Sequence, residues 1–306
     1  VCHNKRINAI FCVIFAEFKR RVFALLRDNV HIHSEASTDE LADIVTAQFP
    51  PHLADGLNTL ECDVSKYDKS QGAIALEFEC IVLRAFGVPD HYVRLWYIAH
   101  ECTRVRDKNC GLSFKTLYQR KSGDASTYIG NTLYILAILS HSLRNVDVVY
   151  TMASGDDSLV FYRGERFKVD VVAYALTYNI ECKFFDYASH YFCSKFLVAV
   201  DNRWVFAPDP LKVVMKLARR DIANAEHLEQ YRISVRDNLS VYRDMRVILA
   251  VAPAAAERYD LSYVPYDVLT TLGDIAHDIP LFSTLFSSSP DAKYVPFSGL
   301  NYSFRD

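Results

Sequence analysis

Apolar positions along the chain follow a helical period at both ends and a strand-like period in the middle. Ile10, Ile14, Phe18, Val22 and Leu25 fall near helical spacing with Lys and Arg opposite, which predicts an amphipathic helix over 7–27. Ser37-Thr38-Asp39-Glu40 has the form of a capping box and opens a helix to about Phe49, stopped by Pro50-Pro51. Leu57 to Val64 reads as a strand delivering Asp63, followed by a helix to about Phe86 that Gly87 and Pro89 end. Residues 90–117 read as mixed helix and hairpin, with turn signals at Asp107 to Gly111. Asp124 or Ser126 stands where it caps a helix to about Ser142. Leu133, Ile135, Leu136, Ile138 and Leu139 make that helix apolar nearly all round, hence buried. Thr127 and Asn131 share one of its faces and, once buried, need polar partners.

Two β-prone runs, Val149 to Ser154 and Ser158 to Tyr162, flank Gly155-Asp156-Asp157, the chemistry of a tight hairpin. Phe167 to Tyr178 reads as a helix and Ile180 to Phe185 as a strand. Tyr191 to Val198 reads as another strand, pairing across a short loop with Asn202 to Phe206. From Pro208 the pattern is helical (Leu211 to Arg220, Glu226 to Leu249, Tyr266 to Ala276), before a loop-like tail of Ser, Pro and aromatics. The fold class expected is α+β, a centre of about five strands between helical flanks.

At 306 residues and 51% hydrophobic, the chain can bury a large core in two or three subdomains. A mean hydropathy near zero and no long apolar run argue against a transmembrane helix. The start, Val1-Cys2-His3-Asn4-Lys5-Arg6, lacks an initiator Met and a signal peptide's apolar region, so a fragment of a longer protein is expected. Eight Cys with no Cys-x-x-Cys pair argue against zinc ribbons and thioredoxin motifs and for free thiols in an intracellular protein. The net charge of −3 does not advertise a nucleic-acid binder. Yet Lys5-Arg6, Lys19 to Arg21, Arg104 to Lys108, Arg120-Lys121 and Lys212 to Arg220 are clusters that together can line a phosphate backbone.

Adjacent carboxylates at a rigid hairpin apex repel each other unless a cation neutralises them, and Mg²⁺, which takes oxygen ligands and shares sites with phosphates, suits the place. Asp63 at a strand end, with Asp68 five residues on, supplies a second acidic element, and Ser122-Gly123 a flexible turn into the buried helix. Carboxylates from separate strands of one sheet can clamp two Mg²⁺ about 4 Å apart, the arrangement for in-line phosphoryl transfer.

In this order and spacing, three stretches resemble the RNA-dependent RNA polymerases of alphavirus-like positive-strand RNA viruses, closest to the tobamovirus-type replicase. They are Asp63 to Gln71, Tyr118 to Asp124 with Thr127 and Gly130-Asn131-Thr132, and Gly155 to Leu159. Lys5 to Phe11, Glu181 to Phe184, Tyr191 to Cys193, Asp209 to Lys212 and Glu226 to Glu229 extend the likeness over nearly the whole chain.

The resemblance implies a right-hand fold, with partial fingers at 1–56, palm at 57–86, a fingers insertion at 87–117, palm at 118–207 and a helical thumb at 208–306. It implies that Asp63 and Asp156 hold the metals (two Mg²⁺, or Mn²⁺), with Asp157 assisting, and that Lys183 protonates the leaving pyrophosphate. Asp68 and Asn131 would read the ribose, Ser122 and Gly123 would form a loop moving with the template, and Thr127, Arg120 and Lys121 would join them in binding substrate. Phe192, Cys193 and Ser194 would grip the primer end. Implied partners are the RNA template, the nascent strand, nucleoside triphosphates, and upstream capping and helicase domains, at membrane-associated replication complexes in the host cytoplasm. The basic fingers segment that guides triphosphates would fall upstream of Val1. A reverse transcriptase shares the palm but usually carries an aromatic residue where Asp68 stands. A non-catalytic palm-like module is opposed by the retained Asp63, Asp156 and Asp157.

Overall fold

A computed structural model describes residues 5–106, 111–185, 187–217, 222 and 224–286. Val1 to Asn4, the turn expected from Asp107 to Cys110, the basic residues Lys108, Arg219 and Arg220, and the tail beyond Phe286 lie outside the described residues.

Helix α1 (Lys5–Ala24) buries Phe11, Phe15, Phe18 and Val22, which recur every three or four residues. Strand β1 (Val30–Ile32) leads to α2 (Thr38–Gln48). The capping box is there: Ser37 Oγ accepts from the Glu40 amide at 3.2 Å, and Glu40 Oε2 from the Ser37 amide at 2.7 Å. Next come β2 (Asn58–Ser65), the single turn α3 (Tyr67–Ser70), α4 (Ala73–Ala85) and α5 (Asp90–Glu101). A hairpin of β3 (Cys102–Arg106) and β4 (Ser113–Leu117) precedes the buried helix α6 (Thr127–Ser142). Then follow β5 (Asp147–Ser154), β6 (Asp157–Arg163), α7 (Val171–Tyr178) and β7 (Glu181–Phe185). Strands β8 (His190–Phe192), β9 (Lys195–Val200) and β10 (Arg203–Pro208) form a meander. Helices α8 (Pro210–Leu217), α9 (Ala225–Leu239), α10 (Met245–Arg258), α11 (Tyr266–His277) and α12 (Ile279–Phe286) complete the described chain.

The central sheet has the order β1-β5-β6-β2-β7, with β1 parallel to β5 and the other pairs antiparallel. Leu159 and Phe161 of β6 pack with α2 and the β8–β10 meander, while Val160 and Tyr162 pack with α6. Both faces are covered, which is why β6 is a continuous apolar run. Leu60, Cys62 and Val64 of β2 face the α6 side, so alternation puts Glu61 and Asp63 on the meander side.

The last helices pack on that meander, with Tyr191, Phe196 and Val198 against Leu239, Tyr242, Val251 and Leu269. Arg258 of α10 fastens the join. Its guanidinium donates to both Glu61 oxygens at 2.8 and 2.6 Å and lies 3.4 Å from the Tyr191 ring centroid. Asp209, also buried, accepts from Tyr191 Oη at 2.8 Å, from Tyr259 Oη, and from the Leu211 and Lys212 amides at 3.0 and 3.3 Å. Among the described residues no helix is long and apolar enough to cross a membrane.

The α+β centre between helical flanks is present, with several local corrections. The strand expected over Tyr191 to Val198 breaks at Cys193-Ser194, whose φ values of +50° and +59° mark a two-residue hairpin turn of the I′ kind. The helix expected over Glu226 to Leu249 is divided, because Asp244 accepts from the Arg246 amide and caps a new helix, α10. Asp170 likewise caps α7, which starts at Val171 rather than Phe167. Neither Asp124 nor Ser126 caps α6 with its side chain; Asp124 Oδ2 lies 2.9 Å from His100 Nε2, and Ser126 Oγ accepts from Arg120. Strand β1 and helix α12 lie where no element was expected.

Candidate active site

Strand β2 lies between β6 and β7. Cys62 pairs with Ser158, which brings Asp63 level with Asp157, the first residue of β6. On the other side Asp63 pairs directly with Lys183. Lys183 is exposed, and β2 stands between it and the β5–β6 hairpin. Gly155 opens the hairpin loop at φ +63°, a region unfavourable to any residue with a Cβ. Its amide donates to Thr132 Oγ1 at 2.9 Å, which ties the apex to α6.

Asp156 is exposed and Asp157 half-buried. Burial, then the charges of Asp156 and Asp63, push the Asp157 carboxyl up to about 6. Asp156 reaches solvent, yet the protein around the apex withdraws enough water to raise it too, with the Asp63 and Asp68 charges behind that. The four carboxylates therefore act on one another, and Lys212 offsets part of the field at Asp157. The Cys193 thiol, beside Asp157, is pushed up to about 12 by burial and by that carboxylate. Among the described residues no three His, Cys, Asp or Glu side chains are gathered closely enough to hold a metal ion.

Asp68, on α3, is the end of a hydrogen-bonded chain. Its Oδ2 accepts from Ser122 Oγ at 2.6 Å and its Oδ1 from Asn131 Nδ2 at 2.9 Å. Asn131 Oδ1 accepts from Gln71 Nε2 at 2.6 Å, and Gln71 Oε1 from Arg120 Nε at 2.9 Å. Arg120 also donates to Glu79 Oε1 at 2.9 Å and to Ser126, while Trp96 Nε1 donates to Glu79 Oε2 at 3.0 Å. Gly130 makes room for this pair: a Cβ there would stand 2.5 Å from Glu79 Oε1 and 2.8 Å from both Arg120 Nη atoms.

Arg120 and Lys121, read from the sequence as basic substrate contacts, are buried instead. Arg120 is held by Glu79, Gln71 and Ser126, and burial lowers the Lys121 pKa. Thr127 Oγ1 donates to the Lys121 carbonyl at 2.9 Å, and the Gly123 carbonyl accepts from Asn8 Nδ2 at 3.0 Å. These bonds shape the 121–127 loop. In the β8–β9 turn Phe192 is buried, Cys193 approaches Asp157, and Ser194 Oγ accepts from Lys212 Nζ at 3.1 Å. A groove of about 760 Å³ opens between this turn and helices α8 and α9, lined by Ser194, Lys212, Lys216 and His227 among others.

Residues 1–285 match the family RNA dependent RNA polymerase. The chain belongs to that polymerase family. It is 36% identical over 300 residues to the RNA replication protein of Citrus leprosis virus C, covering 96% of this chain and 12% of that one. Against the RNA-directed RNA polymerase of Barley stripe mosaic virus it is 34% identical over 293 residues, covering 95% and 37%. Against the replicase large subunit of Tobamovirus Ob it is 33% identical over 238 residues, covering 78% and 15%. The chain thus spans well under half the length of these relatives.

Within this polymerase-family chain, three residues of the site escaped the sequence reading. Gln71 was visible only as the end of a motif, and Glu79 as one of two acids, with Glu77, on a mostly apolar helix. Thr132 stood beside Asn131 with nothing to show that it holds the hairpin apex.

Proposed function

We propose that the chain carries out template-directed RNA synthesis in viral RNA replication and transcription, adding nucleotides from triphosphates to an RNA 3′ end. The right-hand arrangement inferred for it has palm at 57–86 and 118–207, fingers at 1–56 and 87–117, and thumb at 208–306. The observation that carries the reading is the register that brings Asp63 level with Asp157, next to Asp156 at the hairpin apex, with Asp68 held nearby by Ser122 and Asn131.

In chemistry the donor set fits hard divalent cations, since it consists of carboxylate oxygens whose mutual repulsion helps to raise Asp156 and Asp157; a cation would relieve that repulsion and draw the three side chains together. Asp63, Asp156 and Asp157 would hold two Mg²⁺, or Mn²⁺, which when bound activate the attacking hydroxyl and stabilise the departing pyrophosphate. Lys183, across the ladder from Asp63, donates a proton to that pyrophosphate. Asp68 accepts from the ribose 2′-hydroxyl while Asn131 steadies it, and Ser122 and Gly123 shape the loop beside the template. Phe192, Cys193 and Ser194 seat the primer end against the groove under α8 and α9. The names of the relatives support a place in a larger replicase. Capping and helicase domains upstream, and membrane-associated complexes in the host cytoplasm, complete the proposal.

Primer extension on an RNA template with Mg²⁺ tests this reading. Asp63→Asn and Asp156→Asn are expected to abolish nucleotide addition while melting in EDTA no lower than wild type, and Mg²⁺ to stabilise wild type more than either variant. Near-normal extension by Asp156→Asn would overturn it.

A further inference from the structure

The chain Arg120–Gln71–Asn131–Asp68 has a direction that its chemistry fixes. A guanidinium has only donors, so Gln71 must turn its oxygen toward Arg120 Nε, at 2.9 Å. That leaves the Gln71 NH₂ to face Asn131 Oδ1, at 2.6 Å. Asn131 must then turn its own NH₂ toward the Asp68 carboxylate, at 2.9 Å. An amide alone can sit either way round, but here a donor-only group ends one side of the chain and an acceptor the other. Arg120 is itself anchored by Glu79 and Ser126. Gln71, Asn131, Arg120 and Glu79 are between 3% and 7% exposed, so a reversed amide would leave a buried donor or acceptor unpaired.

We infer that Gln71 is a specificity-determining positioning residue: it relays the polarity of Arg120 to Asn131 and so keeps Asp68 oriented for the ribose 2′-hydroxyl. This rests on Asp68 and Asn131 reading the sugar. Gln71 touches no substrate. Its effect comes from the donor it supplies to Asn131, which a carboxylate of the same shape lacks. In Gln71→Glu the Arg120 contact survives and gains charge, but Asn131 must swing its NH₂ to residue 71 and present its oxygen to Asp68. The two oxygens repel, and the carboxylate loses its fixed place.

The test is competition between GTP and dGTP, by incorporation on an RNA template and by equilibrium binding, for wild type, Asn131→Ala, Gln71→Glu and Gln71→Met. A hydrogen bond to a charged group corresponds to about 10- to 100-fold in an equilibrium or rate. Gln71→Glu is therefore expected to lower the GTP:dGTP preference by about that factor, through weaker GTP handling, with dGTP unchanged. A residue that only supports the fold would lower both nucleotides together. Gln71→Met, which keeps length without either polar contact, should show the same one-sided loss and stands in if the Glu variant melts early. Relaxed preference in Asn131→Ala but wild-type preference in both Gln71 variants overturns the relay and leaves the sugar reading intact. Unrelaxed preference in Asn131→Ala overturns the sugar reading, and the relay with it.

Discussion

Replacing Gly130 by Ala would ordinarily help a helix, because glycine in a helix interior is worth roughly 0.5–1 kcal/mol less than alanine. In α6 the sign reverses. The new methyl would lie 2.5 Å from Glu79 Oε1 and 2.8 Å from each Arg120 Nη atom, all inside contact distance. These atoms end flexible side chains, yet the chains are 5% and 4% exposed and have no open space to move into. Overpacking of a full interior costs about 1–3 kcal/mol, and a buried ion pair driven apart costs about 3–5. The middle of the lower range, about 2 kcal/mol, against a helix gain of at most about 1 leaves Gly130→Ala about 1 kcal/mol less stable, and more if the ion pair parts. Urea denaturation followed by circular dichroism measures it, the midpoint falling while the slope stays constant. In a Glu79→Ala background, where the carboxylate is gone, the same methyl should cost much less. A Gly130→Ala protein as stable as wild type, or more so, would show that the Glu79–Arg120 pair does not press on α6.

Lys183→Leu should slow single-nucleotide addition by about 10²- to 10⁴-fold and flatten its pH dependence without weakening RNA binding; an unchanged rate would make Lys183 a surface lysine. Asp157 titrates near 6 in the fold against an ordinary 3.8, so the native state binds its proton more tightly, and its ionisation opposes folding increasingly as pH rises through that window. In EDTA, Asp157→Asn should thus melt higher than wild type above about pH 6 and lose that advantage below about pH 4, and a pH-independent difference would refute the assignment. Arg258→Ala leaves the Glu61 carboxylate only 11% exposed and without its cation, and should cost about 3–5 kcal/mol in denaturant titration; a loss below about 1 kcal/mol would show the pair to be solvent-screened.

Local chemistry was legible in the sequence. The Ser37–Glu40 capping box and the Gly155 turn each depend on residues a few positions apart, and each lies where the pattern put it. The α1 helix was legible but its buried face only in part: Phe18 and Val22 are buried as expected, Ile10 and Leu25 are exposed, and Phe11 and Phe15 take their places in the core. The Cys193-Ser194 turn was not legible, because neither residue is Gly, Asn or Asp and only tertiary packing sustains two positive φ values there. Arg120 and Lys121 looked like surface cations because charge normally stays in water. The Glu79 carboxylate that lets Arg120 be buried is 41 residues away in sequence. For the site, Thr127 and Asn131 announced a need for partners, but the sequence did not say that Gln71 would be one of them. That Lys183 would pair with Asp63 was not legible, since strand order is a property of the whole sheet.

Arg258 and Asp209 make the helical third of the chain inseparable from the strands before it. The seam near residue 208, where strands give way to helices, would look like a natural place to cut the gene. A cut there would separate Arg258 from Glu61 and Asp209 from Tyr191, and would strip Phe196, Val198 and Ala207 of the helices that cover them. Neither piece would keep a closed interior, so the halves would be expected to aggregate apart and reassociate only when made together. The strand that bears Asp63 and the helix that bears Arg258 should accordingly melt as one cooperative unit, and a disturbance that loosens the helices will be felt at the carboxylates.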